Sequence, residues 1–233
     1  MLARLAEAAC PEREPLVIEI GPGRGALTHF LLERAERVVA IEIDPRLAAE
    51  LRSRFRDAEG LEVIEADVLA TPLAQWGPAA VAGNLPYYIT SPILERIFQM
   101  GATLRRAVVL LQEEVAQRLT AQPGTRAYGF LTIQTNLFVR PELLFSVPPA
   151  AFRPAPKVRS AAVRLTPRAA VEDPAPFLEF AARCFRQKRK TLRNNLAPYY
   201  GKAIEAMPEA GLRAEQLSLE RLQELWARLG RRA

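Results

Sequence analysis

Cysteine, histidine and long apolar runs are scarce in this sequence of 233 residues. The two cysteines, Cys10 and Cys184, lie far apart and form no Cys-x-x-Cys or Cys/His cluster. This argues against a disulfide framework and a structural zinc site, and we predict no metal centre. No apolar run approaches the roughly 18 residues of a membrane span, and the N-terminus has no signal-peptide pattern. We therefore expect a soluble protein of the reducing cytoplasm with no membrane partner.

The charge balance is mildly basic, since 32 lysines and arginines against 26 aspartates and glutamates give a formal net charge of +6. A positive balance favours an anionic partner, although the distribution of the charges is more informative than their total. The apolar content of 49% is enough for a sizeable core. The length suits one large domain or one domain with a small appendage.

Strand and helix patterns alternate in the first part of the chain. Short apolar, β-branched runs at 16–20, 38–43 and 61–64 predict buried strands, and the segments 26–34 and 45–55 between them have helical spacing. Strands that alternate with helices pair in parallel. The sequence therefore predicts an α/β fold with a mostly parallel, doubly wound, Rossmann-like sheet.

The composition changes in the second part of the chain. Residues 141–156 are rich in proline, 158–165 alternate like an outer strand, and 167–176 resemble a linker. Helical patterns follow, with a last helix near 219–229 that Ser218 is suited to cap. We predict a domain boundary near Thr166, which divides the chain into a large domain (1–166) and a small all-helical domain (167–233).

A glycine-rich turn follows the first predicted strand, with the sequence Glu19-Ile20-Gly21-Pro22-Gly23-Arg24-Gly25. Glycines at such a turn let backbone amides approach a ligand at the carboxyl edge of the sheet. The glycines alternate and Ala26 occupies the sixth place, unlike the G-x-G-x-x-G pattern of dinucleotide enzymes. This spacing, and the lack of a plausible acid or base for hydride transfer, disfavour a nicotinamide oxidoreductase.

Acidic residues follow the next two strands. Glu42 lies 21 residues beyond Gly21, where its carboxylate can accept hydrogen bonds from both hydroxyls of a ribose, and Asp67 can accept from an adenine amino group. Each carboxylate alone is as well explained as a solvated strand end, but as a set they predict S-adenosylmethionine as the cofactor. The predicted cofactor residues are Glu19, Gly21, Gly23, Gly25, Glu42, Ile43, Asp67, Val68 and Asn84.

The tetrapeptide Asn84-Leu85-Pro86-Tyr87 comes just after Val81 and Ala82, which we interpret as the end of a fourth strand. The lone pair of an exocyclic base amine is delocalised into the ring. Two acceptors, the Asn84 side-chain oxygen and the Leu85 carbonyl, can bind its hydrogens and aim that lone pair at a methyl group. Pro86 fixes the backbone and Tyr87 offers a face for base stacking. The alternative is a helix-starting turn with core tyrosines. We predict methylation of a nucleic-acid base by these four catalytic residues.

These motifs resemble those of the ribosomal RNA adenine dimethyltransferases, across nearly the whole chain. The similar blocks are 17–28, 40–44, 65–69, 83–94 and 112–120. The resemblance implies a class I methyltransferase domain that places two methyl groups on the N6 amine of adenines. It also assigns Gly21, Glu42, Asp67 and Asn84 to the cofactor, and Asn84 through Tyr87 to the target base.

The second half resembles the small-subunit branch of that family, in the segments 152–160 and 186–196. This branch implies two adjacent adenines in a hairpin loop near the 3′ end of 16S ribosomal RNA as the target. The branch that acts on large-subunit RNA is similar in the first half only. The resemblance also implies that Phe152 lines the pocket of the target base opposite Tyr87.

Two departures from the family pattern concern Thr90 and the N-terminus. Thr90 stands where the family more often has serine. This is a mild change, because threonine also carries a hydroxyl. Family members also begin with a segment containing a Gln-Asn-Phe-Leu-like motif, which helps to close the cofactor and base pockets. This sequence starts after that motif, so we expect its pocket to lack the closing segment.

Six basic residues and no acidic residue lie between Arg183 and Arg193, on an expected helix and its following turn. Such a run can neutralise phosphates, although a solvated helix face explains the charge equally well. The residues predicted to bind the target base or RNA are Phe152, Arg153, Lys157, Arg186, Lys188, Arg189, Lys190 and Arg193. The predicted partner is 16S rRNA in the small ribosomal subunit or its precursor, bound by a monomer. The alternatives are a non-catalytic RNA-binding assembly factor and a large-subunit rRNA methyltransferase.

Overall fold

Strands and helices alternate through the first half of the molecule. Residues 1–153, 155–169 and 171–230 are described by the structure, a computed structural model of the chain. The strands of this half are β1 (Glu14–Ile20), β2 (Ala35–Glu42), β3 (Leu61–Glu65), β4 (Ala79–Asn84) and β5 (Leu104–Gln112). The helices are α1 (Leu2–Ala9), α2 (Thr28–Leu32), α3 (Pro45–Arg54), α4 (Thr90–Phe98) and α5 (Glu113–Leu119).

These five strands pair in parallel in one sheet, which two later strands extend. β6 (Val139–Val147) and β7 (Ser160–Pro167) are antiparallel, and the order is β3-β2-β1-β4-β5-β7-β6. The order reverses between β1 and β4, and ligands of doubly wound sheets bind in the crevice at such a point. The predicted mostly parallel, doubly wound sheet is confirmed.

Local sequence explains the ends of several elements. Asp44 caps α3, because its carboxylate accepts a hydrogen bond from the Arg46 amide at 2.8 Å and Pro45 occupies the first turn. Gly83 lets β1 and β4 approach closely, since a Cβ added there would lie 2.7 Å from the Ile20 carbonyl oxygen. The ends of these two strands therefore lie side by side.

The outer strand of the sheet differs from the one expected at 158–165. β7 lies between β5 and β6, and most of its residues are buried. The edge strand is instead β6, which overlaps the proline-rich segment 141–156 for which no strand was predicted. Pro141 has no N–H to donate, and an edge strand tolerates it because only one side of the strand is paired.

The chain forms two compact units. The first, called the sheet unit, comprises Met1–Ala116 and the described part of Val139–Ala169. The second, called the helical unit, joins Gln117–Phe138 to the described residues that follow position 170. The units differ from the predicted domains (1–166 and 167–233) in the placement of residues 117–138.

The helical unit contains five helices among the residues that the structure describes. They are α6 (Phe130–Phe138), α7 (Ala175–Phe185), α8 (Leu192–Tyr200), α9 (Lys202–Glu205) and α10 (Leu219–Arg228). Ile133 and Leu137 of α6 belong to the same buried cluster as Phe180 and Leu222, which explains why this segment groups with the later helices. Ser218 caps α10, as predicted, by accepting a hydrogen bond from the Arg221 amide.

A buried asparagine holds the basic segment between α7 and α8. α7 ends at Phe185, so the basic residues at 186–190 lie in a turn, whereas Arg193 lies in the first turn of α8. The Asn195 amide nitrogen donates to the carbonyls of Cys184 (2.8 Å) and Gln187 (3.2 Å), and its oxygen accepts from the Gln187 amide (3.2 Å). Asn195 is 5% exposed, so its loss would leave buried backbone groups without partners.

We predict that Asn195→Ala lowers the free energy of unfolding by about 2–3 kcal/mol, because three hydrogen bonds between the Asn195 side chain and the backbone are lost together. The neighbouring Asn194→Ala is the matched control. Asn194 is exposed, and its replacement should change the free energy by less than about 0.5 kcal/mol. Urea denaturation of both variants measures the difference. Equal midpoints for Asn195→Ala and Asn194→Ala would contradict the assigned role.

Candidate active site

A cavity of about 400 Å³ lies in the sheet unit at the carboxyl ends of the first four strands. Its walls come from the ends of β1, β2 and β4, from the loop after β3, and from the segment before β7. The lining residues are Ile20, Gly21, Ile41, Glu42, Ile43, Ala66, Asp67, Val68, Asn84, Leu85, Pro86, Tyr87, Tyr88, Ile89, Ile93, Phe152 and Pro156. The cavity thus joins the glycine turn, the acidic strand ends and the tetrapeptide.

The glycine turn presents open backbone to this cavity at Gly21. The residue has φ +66°, a left-handed conformation that glycine adopts without a steric cost. A Cβ added to Gly21 would meet no atom within 4 Å, so a ligand can approach the backbone at this point. Gly23 and Gly25, which were predicted with it, are not among the lining residues.

Glu42 joins the glycine turn to the end of β2. One oxygen of its carboxylate accepts a hydrogen bond from the Gly23 amide at 3.0 Å, and the other accepts from the Asp44 amide at 3.1 Å. The side chain is 6% exposed yet lines the cavity. Each carboxylate oxygen can accept more than one hydrogen bond. Glu42 therefore holds the turn and keeps acceptor capacity for a ligand.

The loop after β3 adds a second carboxylate and an apolar wall. One Asp67 oxygen accepts a hydrogen bond from the Leu69 amide at 2.8 Å, and the side chain is exposed. Ile43 is 64% exposed on the cavity wall, and Val68 lies there as well. An apolar side chain left exposed beside a cavity, as Ile43 is, is typical of a binding surface.

The tetrapeptide lies at the end of β4 with a constrained backbone. The Leu85 amide donates to the Leu110 carbonyl at 2.9 Å, and the Leu85 side chain is buried. Pro86 follows with φ −63° and ψ 127°. Within the described residues, the Asn84 side chain has no hydrogen-bond partner, and it is exposed. Its amide is available to a ligand.

Two hydroxyl groups contact Tyr87, the last residue of the tetrapeptide. Its phenol is hydrogen-bonded to the Ser160 hydroxyl. At its backbone, the Thr90 hydroxyl lies 3.2 Å from the Pro86 carbonyl and 3.4 Å from the Tyr87 carbonyl, to which it can donate. Tyr87 is half-buried, whereas the adjacent Tyr88 is 85% exposed.

Besides the tetrapeptide, Phe152 is the one predicted base- or RNA-binding residue that lines this cavity within the described chain. It follows a short turn at Pro149–Ala151 and is half-buried. Arg153 and Lys157 are exposed and do not line the cavity. The other predicted RNA residues, Arg186, Lys188, Arg189, Lys190 and Arg193, are exposed in the helical unit.

Glu19 is buried behind the site and does not line the cavity. It is 1% exposed and accepts a hydrogen bond from the Thr28 hydroxyl at 2.6 Å. Burial raises the pKa of Glu19 to about 7, the Thr28 hydrogen bond opposes that rise, and the charge of Glu42 adds to it. Glu19 thus joins the end of β1 to the start of α2 and does not face the cavity.

Sequence reasoning missed part of the cavity wall and part of a basic cleft. Ile41 and Ile93 are apolar residues of a strand and a helix, without a local signal that separates them from core residues. In the helical unit, Arg126 and Arg213 line a cleft of about 440 Å³ together with Lys188 and Arg189. These two arginines lie outside the basic run, so only the fold brings them to it.

The part of the chain that the structure describes contains no group of three or more histidine, cysteine, aspartate or glutamate side chains arranged to hold a metal ion. Within the same described ranges, no helix is both long and apolar enough to span a membrane.

The doubly wound sheet, with a glycine turn, acidic strand ends and the tetrapeptide around one cavity, defines a class I methyltransferase. Comparison with known families narrows this class. The family model described as "Ribosomal RNA adenine dimethylase" matches residues 1–228, and the chain belongs to this family. The family and fold class predicted from the sequence are confirmed.

Individual relatives agree with this assignment. Ribosomal RNA small subunit methyltransferase A of Acidobacterium capsulatum is 46% identical over 228 residues, covering 91% of this chain and 81% of the relative. The protein of the same name from Koribacter versatilis is 44% identical over 252 residues, covering 97% of this chain and 88% of the relative.

Two solved structures are similar over 98% of the chain. A dimethyladenosine transferase from Plasmodium falciparum has a TM-score of 0.83 at 25% identity, and 96% of that structure is covered. The 23S rRNA methyltransferase ErmE has a TM-score of 0.79 at 32% identity, also with 96% covered. The nicotinamide oxidoreductase considered from the sequence is not favoured by any of these similarities.

We predict that Glu19→Gln stabilises the protein increasingly as the pH rises from 5 to 8. The pKa of Glu19 is raised in the folded state from an ordinary value of 4.5 to about 7, so the native protein loses stability as the pH rises through this window. Glutamine does not titrate. The difference in unfolding free energy between variant and native protein should therefore grow by on the order of 2 kcal/mol.

Chemical denaturation at several pH values measures this difference. Glu36→Gln is the matched control, because Glu36 is exposed, and it should show no such trend. A difference between Glu19→Gln and the native protein that stays constant from pH 5 to 8 would show that Glu19 titrates normally.

Proposed function

We propose that this chain transfers methyl groups from S-adenosylmethionine to the N6 amines of two adjacent adenines in a hairpin loop near the 3′ end of 16S rRNA, during assembly of the small subunit. The observation that carries this proposal is the position of Asn84 through Tyr87 on the wall of the cavity that Gly21, Glu42 and Asp67 also line. The names of the curated relatives support the small-subunit RNA over the large-subunit alternative.

The residues of the cavity fit S-adenosylmethionine. Gly21 leaves open space beside its backbone, Glu42 and Asp67 offer acceptors for ribose hydroxyls and an adenine amino group, and Ile43 and Val68 offer an apolar wall. When bound, the cofactor supplies an electrophilic methyl group. The carboxylates also offset its positive charge.

Asn84 and Leu85 orient the target amine. In the first transfer, the Asn84 side-chain oxygen and the Leu85 carbonyl each accept one hydrogen of the adenine N6 amine, which favours a pyramidal nitrogen with its lone pair aimed at the methyl carbon. The nitrogen releases one proton for each methyl group that it gains, so in the second transfer a single N–H remains for one of the two acceptors. The same acceptors stabilise the positive charge that develops on the nitrogen. The Leu110 hydrogen bond and the fixed φ of Pro86 restrain this backbone, so little reorganisation is needed during transfer.

Aromatic side chains hold the base after it has left the RNA stack. Tyr87 and Phe152 both line the cavity. Stacking of the target base against these rings offsets the few kcal/mol that it costs to take the base out of the RNA stack. A looped adenine pays less of this cost than a paired one, which favours folded RNA with an accessible loop as the substrate.

The helical unit contributes phosphate contacts. The exposed turn between α7 and α8 carries Arg186, Lys188, Arg189 and Lys190, and Arg126 and Arg213 share a cleft with two of them. Basic side chains of this kind set affinity and position without reading sequence. In the sheet unit, Arg153 and Lys157 are exposed and add to the RNA contacts. The protein acts as a cytoplasmic monomer on the subunit or its precursor.

We predict that Asn84→Ala reduces kcat for methyl transfer by at least about 100-fold, because one of two preorganised acceptors is lost. Its Kd for unmethylated small subunits should stay within about threefold of the native value, since phosphate contacts dominate RNA affinity. Transfer of labelled methyl groups to unmethylated subunits measures kcat, and filter binding measures Kd.

Asn194→Ala is the control for this experiment and should transfer methyl groups at the native rate. Native activity in Asn84→Ala would refute the role of the tetrapeptide. If the native chain bound subunits and supported their maturation without any turnover, while an active relative transferred methyl groups, a non-catalytic assembly factor would describe it better.

We predict that replacing Arg189 and Lys190 by glutamine weakens subunit binding and makes it less dependent on salt. The slope of log K against log[salt] is negative, and each lost phosphate contact should make it less negative by about 0.7–0.9. The pair should therefore reduce the magnitude of the slope by roughly 1.5. The control is the pair Arg13→Gln and Arg56→Gln, which removes the same charge from exposed positions of the sheet unit. Equal slopes for the two pairs would contradict the basic turn as an RNA contact.

A further inference from the structure

The hydrogen bond between Tyr87 and Ser160 joins two distant parts of the sheet unit. The phenol oxygen of Tyr87 lies 2.5 Å from the Ser160 hydroxyl oxygen, across 73 positions of sequence. Ser160 is the first residue of β7, where it pairs with Gln112 of β5 and Val147 of β6. Tyr87, on the cavity wall, is therefore hydrogen-bonded to β7, an interior strand of the sheet.

Ser160 occupies a position where packing alone would favour an apolar residue. Its exposed fraction is 0%, the same as for the following Ala161 and Ala162. A buried hydroxyl is costly unless it is hydrogen-bonded, and alanine fills nearly the same volume. The side-chain partner that the structure gives to this hydroxyl is the phenol of Tyr87. The serine is thus explained by the tyrosine and not by the packing of the strand.

Tyr87 is held at both ends as a result. The Thr90 hydroxyl contacts the carbonyls of Pro86 and Tyr87, which restrains the backbone, and Ser160 restrains the far end of the ring. A tyrosine side chain has two rotatable bonds, so one fixed end at the backbone and one at the phenol leave the ring little freedom. Tyr88, the next residue, is 85% exposed and contrasts with it.

We infer that Ser160 is a positioning residue for methyl transfer, an inference that rests on the proposed function. Its hydroxyl fixes the phenol of Tyr87, so that the tyrosine ring presents one face to the target adenine while Asn84 and Leu85 hold the amine. Ser160 is fully buried and acts through Tyr87. If the Tyr87 ring were free to rotate, the base stacked on it would lose its alignment with the methyl group. Small misplacements of reacting groups reduce the rate by large factors.

The test compares Ser160→Ala, Tyr87→Phe and the double variant, all as the full-length chain with unmethylated small subunits. Ser160→Ala should lower kcat about tenfold and leave KM for the subunits within about twofold, because the ring keeps its stacking area and the phosphate contacts are unchanged. Tyr87→Phe removes the other half of the same hydrogen bond and should lower kcat by a similar factor. The double variant should be no slower than either single variant.

Ser146→Ala is the matched control. Ser146 lies on β6, next to Ala161 of β7, and its exposed hydroxyl donates to Glu113 at 2.6 Å. It does not line the cavity, and its loss should leave kcat at the native value. Calorimetric titration with the cofactor and thermal unfolding should give native values for Ser160→Ala within about twofold in Kd and a few degrees in Tm.

Several results would overturn the inference. One is a native kcat in Ser160→Ala, and another is a double variant whose loss equals the product of the two single losses. A third is a Ser160→Ala protein in which Tm and cofactor affinity fall in step with kcat, which would mark a purely structural role. These outcomes leave the proposed function intact, whereas a native chain that transfers no methyl group beside an active relative would overturn both.

Discussion

The pairing of β1 with β4 is the constraint on which the rest of the site depends. Ile20 pairs with Gly83, so Gly21, which follows β1, and Asn84, the last residue of β4, lie at neighbouring strand ends. A Cβ at Gly83 would collide with the Ile20 carbonyl, and a register slip of one residue would turn Asn84 to the opposite face. Because ligands of this fold bind where the strand order reverses, this one pairing brings the glycine turn and the tetrapeptide to one cavity at that point.

The two acidic residues beside the glycine turn, Glu42 and Glu19, lie in different electrostatic environments. Both carboxylate oxygens of Glu42 accept hydrogen bonds from backbone amides, and the side chain also lines the cavity. The same carboxylate therefore holds the glycine turn and forms part of the cavity wall. Glu19 lies in the core beneath the same turn, where burial raises its pKa and its contact is with Thr28. Two carboxylates on adjacent strands therefore differ in environment: Glu42 reaches the cavity, whereas Glu19 lies in the core, where burial opposes its ionisation.

Local signals in the sequence predicted most of the sheet and most of the cavity. Apolar β-branched runs mark the parallel strands, and the glycine turn and tetrapeptide are contiguous motifs whose positions follow from the alternation of strands and helices. Features that depend on distant contacts were missed. No strand was predicted around Pro141, because the sequence pattern does not show that β6 has a single neighbour. Residues 117–138 gave no sign that they pack with later helices, and Ser160 carries no signal of its partner Tyr87.

The placement of α6 in the helical unit has a consequence for the order of events during synthesis. Ile133 and Leu137 of α6 pack in the cluster that contains Phe180 and Leu222, so the partners that cover them are made tens of residues later. A chain growing from the ribosome displays the apolar face of α6 while β6 and β7 are still being added to the sheet. All strands of the parallel sheet are therefore made before the helices that cover α6, and a chaperone that binds apolar surface would act in that interval.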